Sequence, residues 1–151
     1  EMDDFSAKPG APNVYGLIGG QANAIAPGKR MLSSMAPTMV FKDGKLALVI
    51  GASGGARIIS ALVQVISNLI DHGLGIVRAV GASRVHHQWL PDRLFMEKGI
   101  NSQIVKELKL KGHKTAISRR LGITNSIWVD PISGQAQAAP DPRGQGASAG
   151  F

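Results

Sequence analysis

The chain has 151 residues, of which 44% are hydrophobic and 18% are charged, as in ordinary globular domains. It contains no cysteine, which excludes disulfides, thiol catalysis and cysteine-based metal sites. The formal net charge is +7, but the basic residues are scattered in twos and threes without a nucleic-acid-binding motif. A solvated basic face is therefore favoured over nucleic acid binding, and no apolar stretch is long enough to span a membrane.

The first quarter of the chain is predicted to be a long ordered loop or a series of short extended pieces. Residues 5–38 are rich in small and turn-forming residues and show neither helical nor alternating periodicity. Two β-prone runs follow, Thr38–Lys42 and Lys45–Ile50, and Asp43-Gly44 between them is a strong hairpin signal. With 19 glycines, 8 prolines and few aromatic residues, the chain suits a mixed α/β (α+β) fold better than a helical bundle.

Two helices are predicted after the glycine-rich turn at residues 51–55. Apolar residues recur at helical spacing from Ile58 to Ile70, which predicts about four turns of helix ended by Asp71-His72-Gly73. Its apolar stripe is wide, so we expect the helix to pack on a sheet and to be covered on more than one side. A shorter helix is predicted at residues 76–82, and Pro91 then breaks the chain.

The last third adds a strand, a helix and a second hairpin. These are predicted at Leu94–Glu97, from a cap at Asn101 or Ser102 to about Leu110, and at Ser126–Asp130 with Gln135–Ala139. No internal repeat occurs. All elements are therefore expected to belong to one unit.

The glycine turn matches a dinucleotide-binding fingerprint loosely. Asp71 lies twenty residues after Gly51, where a ribose-binding acid is expected. However, the glycine pattern is incomplete, Asp71 closes the predicted helix, and a hairpin before the turn fits a parallel sheet poorly. Whatever the motif, glycines at a helix N-terminus leave N–H groups that favour negative charge.

The same turn also matches the nucleophile elbow of serine α/β-hydrolases. Ser53 stands between Gly51 and Gly55, and Asp92 and His113 follow in the required order. Against this, only one hairpin precedes Ser53, where that fold has several strands. A plain strand-to-helix turn is favoured over either motif taken alone.

Five segments together are similar to the γ-glutamyltransferase family and occur in that family's order. They are Glu1-Met2-Asp3-Asp4-Phe5-Ser6, Pro12-Asn13-Val14-Tyr15-Gly16-Leu17, Pro27-Gly28-Lys29-Arg30-Met31-Leu32-Ser33-Ser34-Met35, Gly54-Gly55 and Arg84-Val85-His86-His87-Gln88-Trp89-Leu90-Pro91-Asp92. The resemblance implies an N-terminal-nucleophile hydrolase, an αββα sandwich formed from a precursor that cleaves itself into two subunits. Residues 1–151 would then be the C-terminal portion of the small catalytic subunit, with the large subunit as partner.

The resemblance also implies the chemistry. An N-terminal threonine attacks the γ-amide of glutathione or a related compound with its own α-amino group as base, and water, an amino acid or a dipeptide resolves the ester. Residue 1 is Glu and the only threonines are Thr38, Thr115 and Thr124, so we expect the nucleophile upstream and this chain alone to be inactive. No cofactor is expected, and bacterial relatives imply a periplasmic or secreted protein. A fragment that binds γ-glutamyl compounds without turnover is an alternative.

The family's contacts to the glutamyl α-amino and α-carboxylate groups fall on four residues of this chain. Glu1 and Asp4 match the contacts to the α-amino group, because carboxylates are strong acceptors for an ammonium. Ser33 and Ser34 match the pair that hydrogen-bonds the α-carboxylate. Without the resemblance, these would be two solvated acids and an ordinary turn before Pro37.

The remaining functional positions implied by the resemblance are Gly54, Gly55 and Tyr15. The two glycines match the oxyanion hole, whose backbone N–H groups stabilise charge on the amide oxygen. Tyr15 falls in the lid-like loop that covers the glutamyl group. His86 and His87 are interpreted as structural, because neighbours on an extended chain face opposite directions and no third metal ligand is near in sequence.

Overall fold

The computed structural model describes residues 2–150, which form a mixed α+β fold as predicted. Its strands and helices are β1 (Thr38–Lys42), β2 (Lys45–Ser53), α1 (Arg57–Ile70), α2 (Ile76–Gly81), β3 (Val85–His86), β4 (Leu94–Met96), α3 (Ser102–Leu110), β5 (Thr115–Ile117), β6 (Ile123–Val129) and β7 (Ala136–Pro140). The segment before β1 contains only two short 3-10 helices, Met2–Asp4 and Gln21–Asn23. The prediction of a long ordered loop is therefore confirmed.

The main sheet is antiparallel and has the strand order β1-β2-β6-β7. Asp43 and Gly44 both have positive φ, 51° and 75°, as a tight hairpin turn between β1 and β2 requires. Both predicted hairpins are confirmed, but β6 begins at Ile123 and not at Ser126. The extra residues of β6 pair with the end of β2, Ser53 opposite Ile123, so this sheet reaches the glycine turn.

Helices α1 and α2 pack on one face of this sheet and form the hydrophobic core. Leu48 and Ile50 of β2 meet Leu62 and Val65 of α1 and Val80 of α2, and each is at most 3% exposed. Burial of one such side chain contributes roughly 1.5–3 kcal/mol. The core therefore fixes the direction in which α1 leaves the sheet.

The expectation that α1 is covered on more than one side is wrong for the described residues. Its apolar stripe is wide, but Ile59, Val63 and Ile70 remain 55–60% exposed. The sheet and α2 are too narrow to cover the whole stripe. The other side of α1 is an apolar surface.

A second, smaller sheet contains β3, β4 and β5, with β4 and β5 parallel. Strands β3 and β5 were not predicted, because neither contains a continuous run of large apolar residues such as the one in β4. Helix α3 begins as predicted, with the Asn101 side chain accepting the Gln103 N–H at 2.8 Å.

Buried ion pairs join the small sheet to the C-terminal segment. Arg84, 1% exposed, contacts Asp141 at 2.8 Å, and Arg143 pairs with both Asp141 and Glu97. Burial alone raises the pKa of Asp141, but hydrogen bonds from Thr124 and Arg143 and the Arg84 charge bring it below its ordinary value. The same balance lowers the pKa of Glu97, where hydrogen bonds from Arg143, Arg84 and Leu121 outweigh burial.

Candidate active site

The N-terminal loop and the start of α1 enclose a cavity of about 590 Å³. Five of the residues singled out from the sequence line it: Asp4, Tyr15, Ser33, Ser34 and Gly55. Gly54 lines a neighbouring cavity of about 300 Å³ that shares Tyr15 as a wall. Glu1 lies outside the described residues.

Asn23 holds together the two loop segments that carry Asp4 and the serine pair. Its amide nitrogen donates to the Asp4 carbonyl at 2.8 Å, and its amide oxygen accepts the Leu32 N–H at 3.0 Å. Its own carbonyl accepts the Ser6 N–H at 2.9 Å. Sequence reasoning missed Asn23, although an asparagine in a glycine-rich loop can donate and accept at once.

Ser33 and Ser34 lie on the extended chain just before β1. Ser33 is exposed and its hydroxyl accepts the Met35 N–H at 3.2 Å, while Ser34 is half-buried. Among the described residues neither hydroxyl has a histidine or carboxylate within hydrogen-bond distance. Their chemistry is therefore that of hydrogen-bond donors and not of activated nucleophiles.

The Gly54-Gly55 turn leads from β2 into α1 with positive φ at both residues, 139° and 58°. A Cβ on Gly54 would lie 3.0 Å from the backbone of Gly122, and one on Gly55 would lie 2.5 Å from the ring of Tyr15. Only glycine fits at these two positions.

The backbone polar groups of this turn point in two directions. The carbonyls of Gly54 and Gly55 accept the N–H groups of Arg57 and Ile58 at 3.2 and 3.0 Å. Their own N–H groups have no acceptor within the described part of the chain. They lie at the positive end of the fourteen-residue helix α1, so the turn can stabilise an anionic oxygen.

Tyr15 stands on a tight turn closed by Asn13. The Asn13 side chain accepts the N–H groups of Tyr15 and Leu17 at 2.9 and 3.0 Å, and Asn13 N–H donates to the Leu17 carbonyl at 2.8 Å. The aromatic ring lies against Gly55. Tyr15 therefore covers the glycine turn and separates the two cavities.

The structure does not bring together the three residues of the serine-hydrolase motif. Asp92 is exposed, and its carboxylate lies 3.2 Å from Lys114 and 3.4 Å from His87. The hydrogen bond and charge of Lys114, followed by the hydrogen bond from His87, lower the pKa of Asp92. Within residues 2–150 no hydrogen bond links His113 to either Asp92 or Ser53.

The dinucleotide-binding motif also lacks its structural context. The turn follows a strand whose neighbours are both antiparallel, whereas that motif belongs to a parallel sheet. Asp71 ends α1 and accepts the Ser67 hydroxyl at 2.6 Å. It is therefore engaged at the far end of the helix from the glycines.

His86 is buried, at 4% exposure, and lies between Ser60 at 2.7 Å and Gln88 at 2.8 Å. His87 points elsewhere and accepts the Trp89 N–H. In the part of the chain that the structure describes, no three His, Asp or Glu side chains are grouped to hold a metal ion. The described helices are too short or too polar to cross a bilayer.

This chain is similar to known proteins over nearly its whole length. The Gamma-glutamyltranspeptidase family model matches residues 1–151. The glutathione hydrolase proenzyme of Escherichia coli strain K12 is 55% identical over 143 residues, which cover 95% of this chain and 24% of that protein. The chain thus spans about a quarter of the length of this relative and of the glutathione hydrolase proenzyme of Pseudomonas aeruginosa.

Two solved structures have the same fold. The gamma-glutamyltranspeptidase of Pseudomonas nitroreducens complexed with L-DON is 42% identical with a TM-score of 0.90, over 100% of this chain and 79% of that one. A mutant of the Helicobacter pylori gamma-glutamyltranspeptidase is 49% identical with a TM-score of 0.90, over 95% of this chain and 79% of that one. The α+β fold is therefore that of an N-terminal-nucleophile hydrolase, and the chain belongs to the gamma-glutamyltranspeptidase family.

Proposed function

We propose that this chain provides the γ-glutamyl pocket and the oxyanion hole of an enzyme that hydrolyses or transfers the γ-glutamyl group of glutathione and related compounds. The observation that carries the proposal is the single cavity that Asp4, Ser33, Ser34 and Gly55 line together. Among its lining residues, Asp4 carries a carboxylate, Ser33 and Ser34 carry hydroxyls, and Gly55 has a backbone N–H without an acceptor in the described part of the chain. A γ-glutamyl group needs this distribution of partners.

The free end of the substrate carries an ammonium and a carboxylate. Asp4 offers a negative charge for the ammonium, and the hydroxyls of Ser33 and Ser34 can donate to the carboxylate. Glu1 belongs to the same proposal by family resemblance. Because Asn23 holds Asp4 and Leu32 in register, the two recognition elements are prepared before the substrate arrives.

In the proposed reaction the nucleophile is a threonine from a part of the family's proteins that this chain does not span. Its hydroxyl attacks the γ-carbonyl carbon, and the proton passes to its own α-amino group. Negative charge then develops on the carbonyl oxygen, where the N–H groups of Gly54 and Gly55 would donate. One such donor is worth about 3 kcal/mol in the transition state.

The tetrahedral intermediate collapses by breaking the C–N bond, and the leaving amine takes the proton. The γ-glutamyl ester that remains on the threonine is attacked by water or by the amine of an amino acid or dipeptide. Water gives hydrolysis and an amine gives transfer. Tyr15 over the turn would keep bulk water away from the ester.

The partner in this proposal is the large subunit of the same precursor. Met39, Phe41 and Ile127 on the sheet face away from α1 are 45–65% exposed, and one side of α1 is apolar as well. An antiparallel sheet that is apolar on both faces normally has a second layer against it. These surfaces support an αββα sandwich completed by residues outside this chain.

The test uses the full-length protein that carries this chain, assayed with a γ-glutamyl anilide. We expect Asp4→Ala to raise KM strongly, since losing a charged partner in a partly desolvated pocket costs about 2–4 kcal/mol. Asp92→Ala is the matched control, because it removes an exposed carboxylate outside the pocket. An unchanged KM in Asp4→Ala would remove Asp4 from the site.

The same variants address the serine-hydrolase alternative. If Ser53 were the nucleophile, a serine-directed phosphonate would label it and Asp92→Ala would abolish turnover. We expect neither result. We also expect the protein in the periplasm or outside the cell, which fractionation of the native host would test.

A further inference from the structure

The Tyr15 loop, residues 12–18, is joined to the rest of the fold by few hydrogen bonds. Its hydrogen bonds are internal, between Asn13 and Tyr15, Gly16 and Leu17. Within residues 2–150 one hydrogen bond connects this loop to the body of the fold. In it the Gln88 side-chain nitrogen donates to the Tyr15 carbonyl at 2.8 Å.

The Gln88 amide is held in one orientation by its neighbours. Its nitrogen donates to two carbonyls, of Tyr15 at 2.8 Å and of Leu90 at 3.1 Å, so its oxygen must be the acceptor on the other side. That oxygen lies 2.8 Å from His86 Nε2, which therefore carries the proton. His86 Nδ1 then accepts the Ser60 hydroxyl at 2.7 Å.

This chain of hydrogen bonds links the first turn of α1 to the loop over the glycine turn. Ser60 lies in the first turn of α1, five residues after Gly55, and the ring of Tyr15 lies on Gly55 itself. The helix that presents the glycine N–H groups therefore also holds the residue that covers them, through buried His86 and half-buried Gln88.

We propose that Gln88 is a positioning residue, oriented by His86 and Ser60, that holds the Tyr15 loop over the glycine turn. This inference rests on the proposed γ-glutamyl activity for its effect on turnover. Without the bond to Gln88 the loop leaves the turn more often. The bound donor then loses the cover of Tyr15 and exchanges with water more freely.

The test uses Gln88→Glu and Gln88→Met in the full-length protein. The first keeps the acceptor for His86 but turns a carboxylate toward two carbonyls, and the second keeps the size without any donor. Gln64→Glu is the matched control, since Gln64 donates to the carbonyls of Ser60 and Val85 and does not contact the Tyr15 loop.

We expect both Gln88 variants to raise KM for a γ-glutamyl anilide about tenfold and to change kcat less than about threefold. Gln64→Glu should leave both constants near those of the parent protein. In a Tyr15→Ala background the Gln88 substitutions should have no further effect, because Gln88 acts through Tyr15. Amide hydrogen exchange of residues 13–17 should speed up in the Gln88 variants alone.

Two results would overturn the inference. One is unchanged exchange of residues 13–17 in a folded Gln88 variant, and the other is an effect on KM that adds fully to that of Tyr15→Ala. If the parent protein does not turn over γ-glutamyl compounds, the proposed function fails instead. The exchange measurement still decides whether Gln88 holds the loop.

Discussion

The two halves of the candidate site are built in different ways. Asp4, Ser33 and Ser34 stand on the N-terminal loop, whose segments are joined by single side chains such as Asn23. The Gly54-Gly55 turn stands between a paired strand and a fourteen-residue helix over the hydrophobic core. In the proposed function, recognition thus rests on a loop held by a few hydrogen bonds, and charge stabilisation rests on a turn fixed between a paired strand and a packed helix, where preorganisation matters most.

The largest expected effect is on the stability of the part of the fold formed by the two sheets, their helices and the buried ion pairs, which we call the rigid body. We expect Arg84→Met to lower the free energy of unfolding by about 3–5 kcal/mol, because it removes one of the two arginines that pair with the buried Asp141 carboxylate. Urea unfolding of the full-length protein measures this. Arg119→Met is the control, since Arg119 is exposed, and a loss no larger than that of the control would contradict the role of the ion pair.

The next largest effect is expected at the glycine turn, on the rate of acylation and not on stability. Gly55→Ala should slow acylation by a factor on the order of 10²–10³, since the Cβ meets Tyr15 and disturbs the N–H groups aimed at the oxyanion. Binding of a ground-state glutamate analogue should change much less.

Gly73→Ala is the control for Gly55→Ala, because Gly73 also has positive φ but its Cβ would meet no atom within 4 Å. Normal subunit cleavage and melting of both variants must be confirmed first. If Gly55→Ala lost binding and acylation rate equally, the two glycines would have only a structural role in the turn and no role in the oxyanion hole.

A smaller effect, on KM, is expected from a substitution in the N-terminal loop. Asn23→Ala removes the bonds to Asp4 and Leu32, so KM for the donor should rise while the core keeps its stability. The loss corresponds to about 1–2 kcal/mol of binding free energy. Asn68→Ala is the control, since Asn68 bonds the Ala79 carbonyl away from the cavity. A fall in melting temperature without a change in KM would assign Asn23 to the fold alone.

Regular patterns made much of the body predictable. Asp43-Gly44, the apolar spacing of α1 and the cap at Asn101 each act locally, so the residues themselves indicate the structure. Strand β5 has three residues and pairs with β4, which precedes it across helix α3, so no local sequence pattern indicates it.

The candidate site follows only from the family resemblance, which pointed to Asp4, Tyr15 and the serine pair, and the structure brings these residues to one cavity. The contacts of Asn23 and Gln88 with these segments were not predicted, although Gln88 belongs to one of the segments that carry the resemblance. Their role consists of contacts between segments many positions apart, 73 in the case of Gln88 and Tyr15. Composition and spacing carry no signal of such contacts.

The smallest expected effect is the response of the rigid body to acid. Burial, the largest influence on Glu97, raises its pKa, and the hydrogen bonds from Arg143, Arg84 and Leu121 bring the net value below the ordinary 4.5. The net pKa shift of Glu97 is the difference of opposing influences. Its contribution to the free energy of unfolding is therefore smaller than the loss of a whole ion pair.

The sign of this pH dependence follows from the direction of the shift. A carboxyl with a lowered pKa in the folded protein stabilises it above pH 4.5, and this stability is lost as the pH falls through the folded value. Asp141 behaves in the same way below its ordinary value of 3.8. We therefore expect the stability gap between the parent protein and Glu97→Gln to be constant from pH 7 to about 5 and to narrow below about 4. Denaturation at a series of pH values measures this gap, and a gap that stayed constant down to pH 3 would mean that folding does not lower the pKa of Glu97.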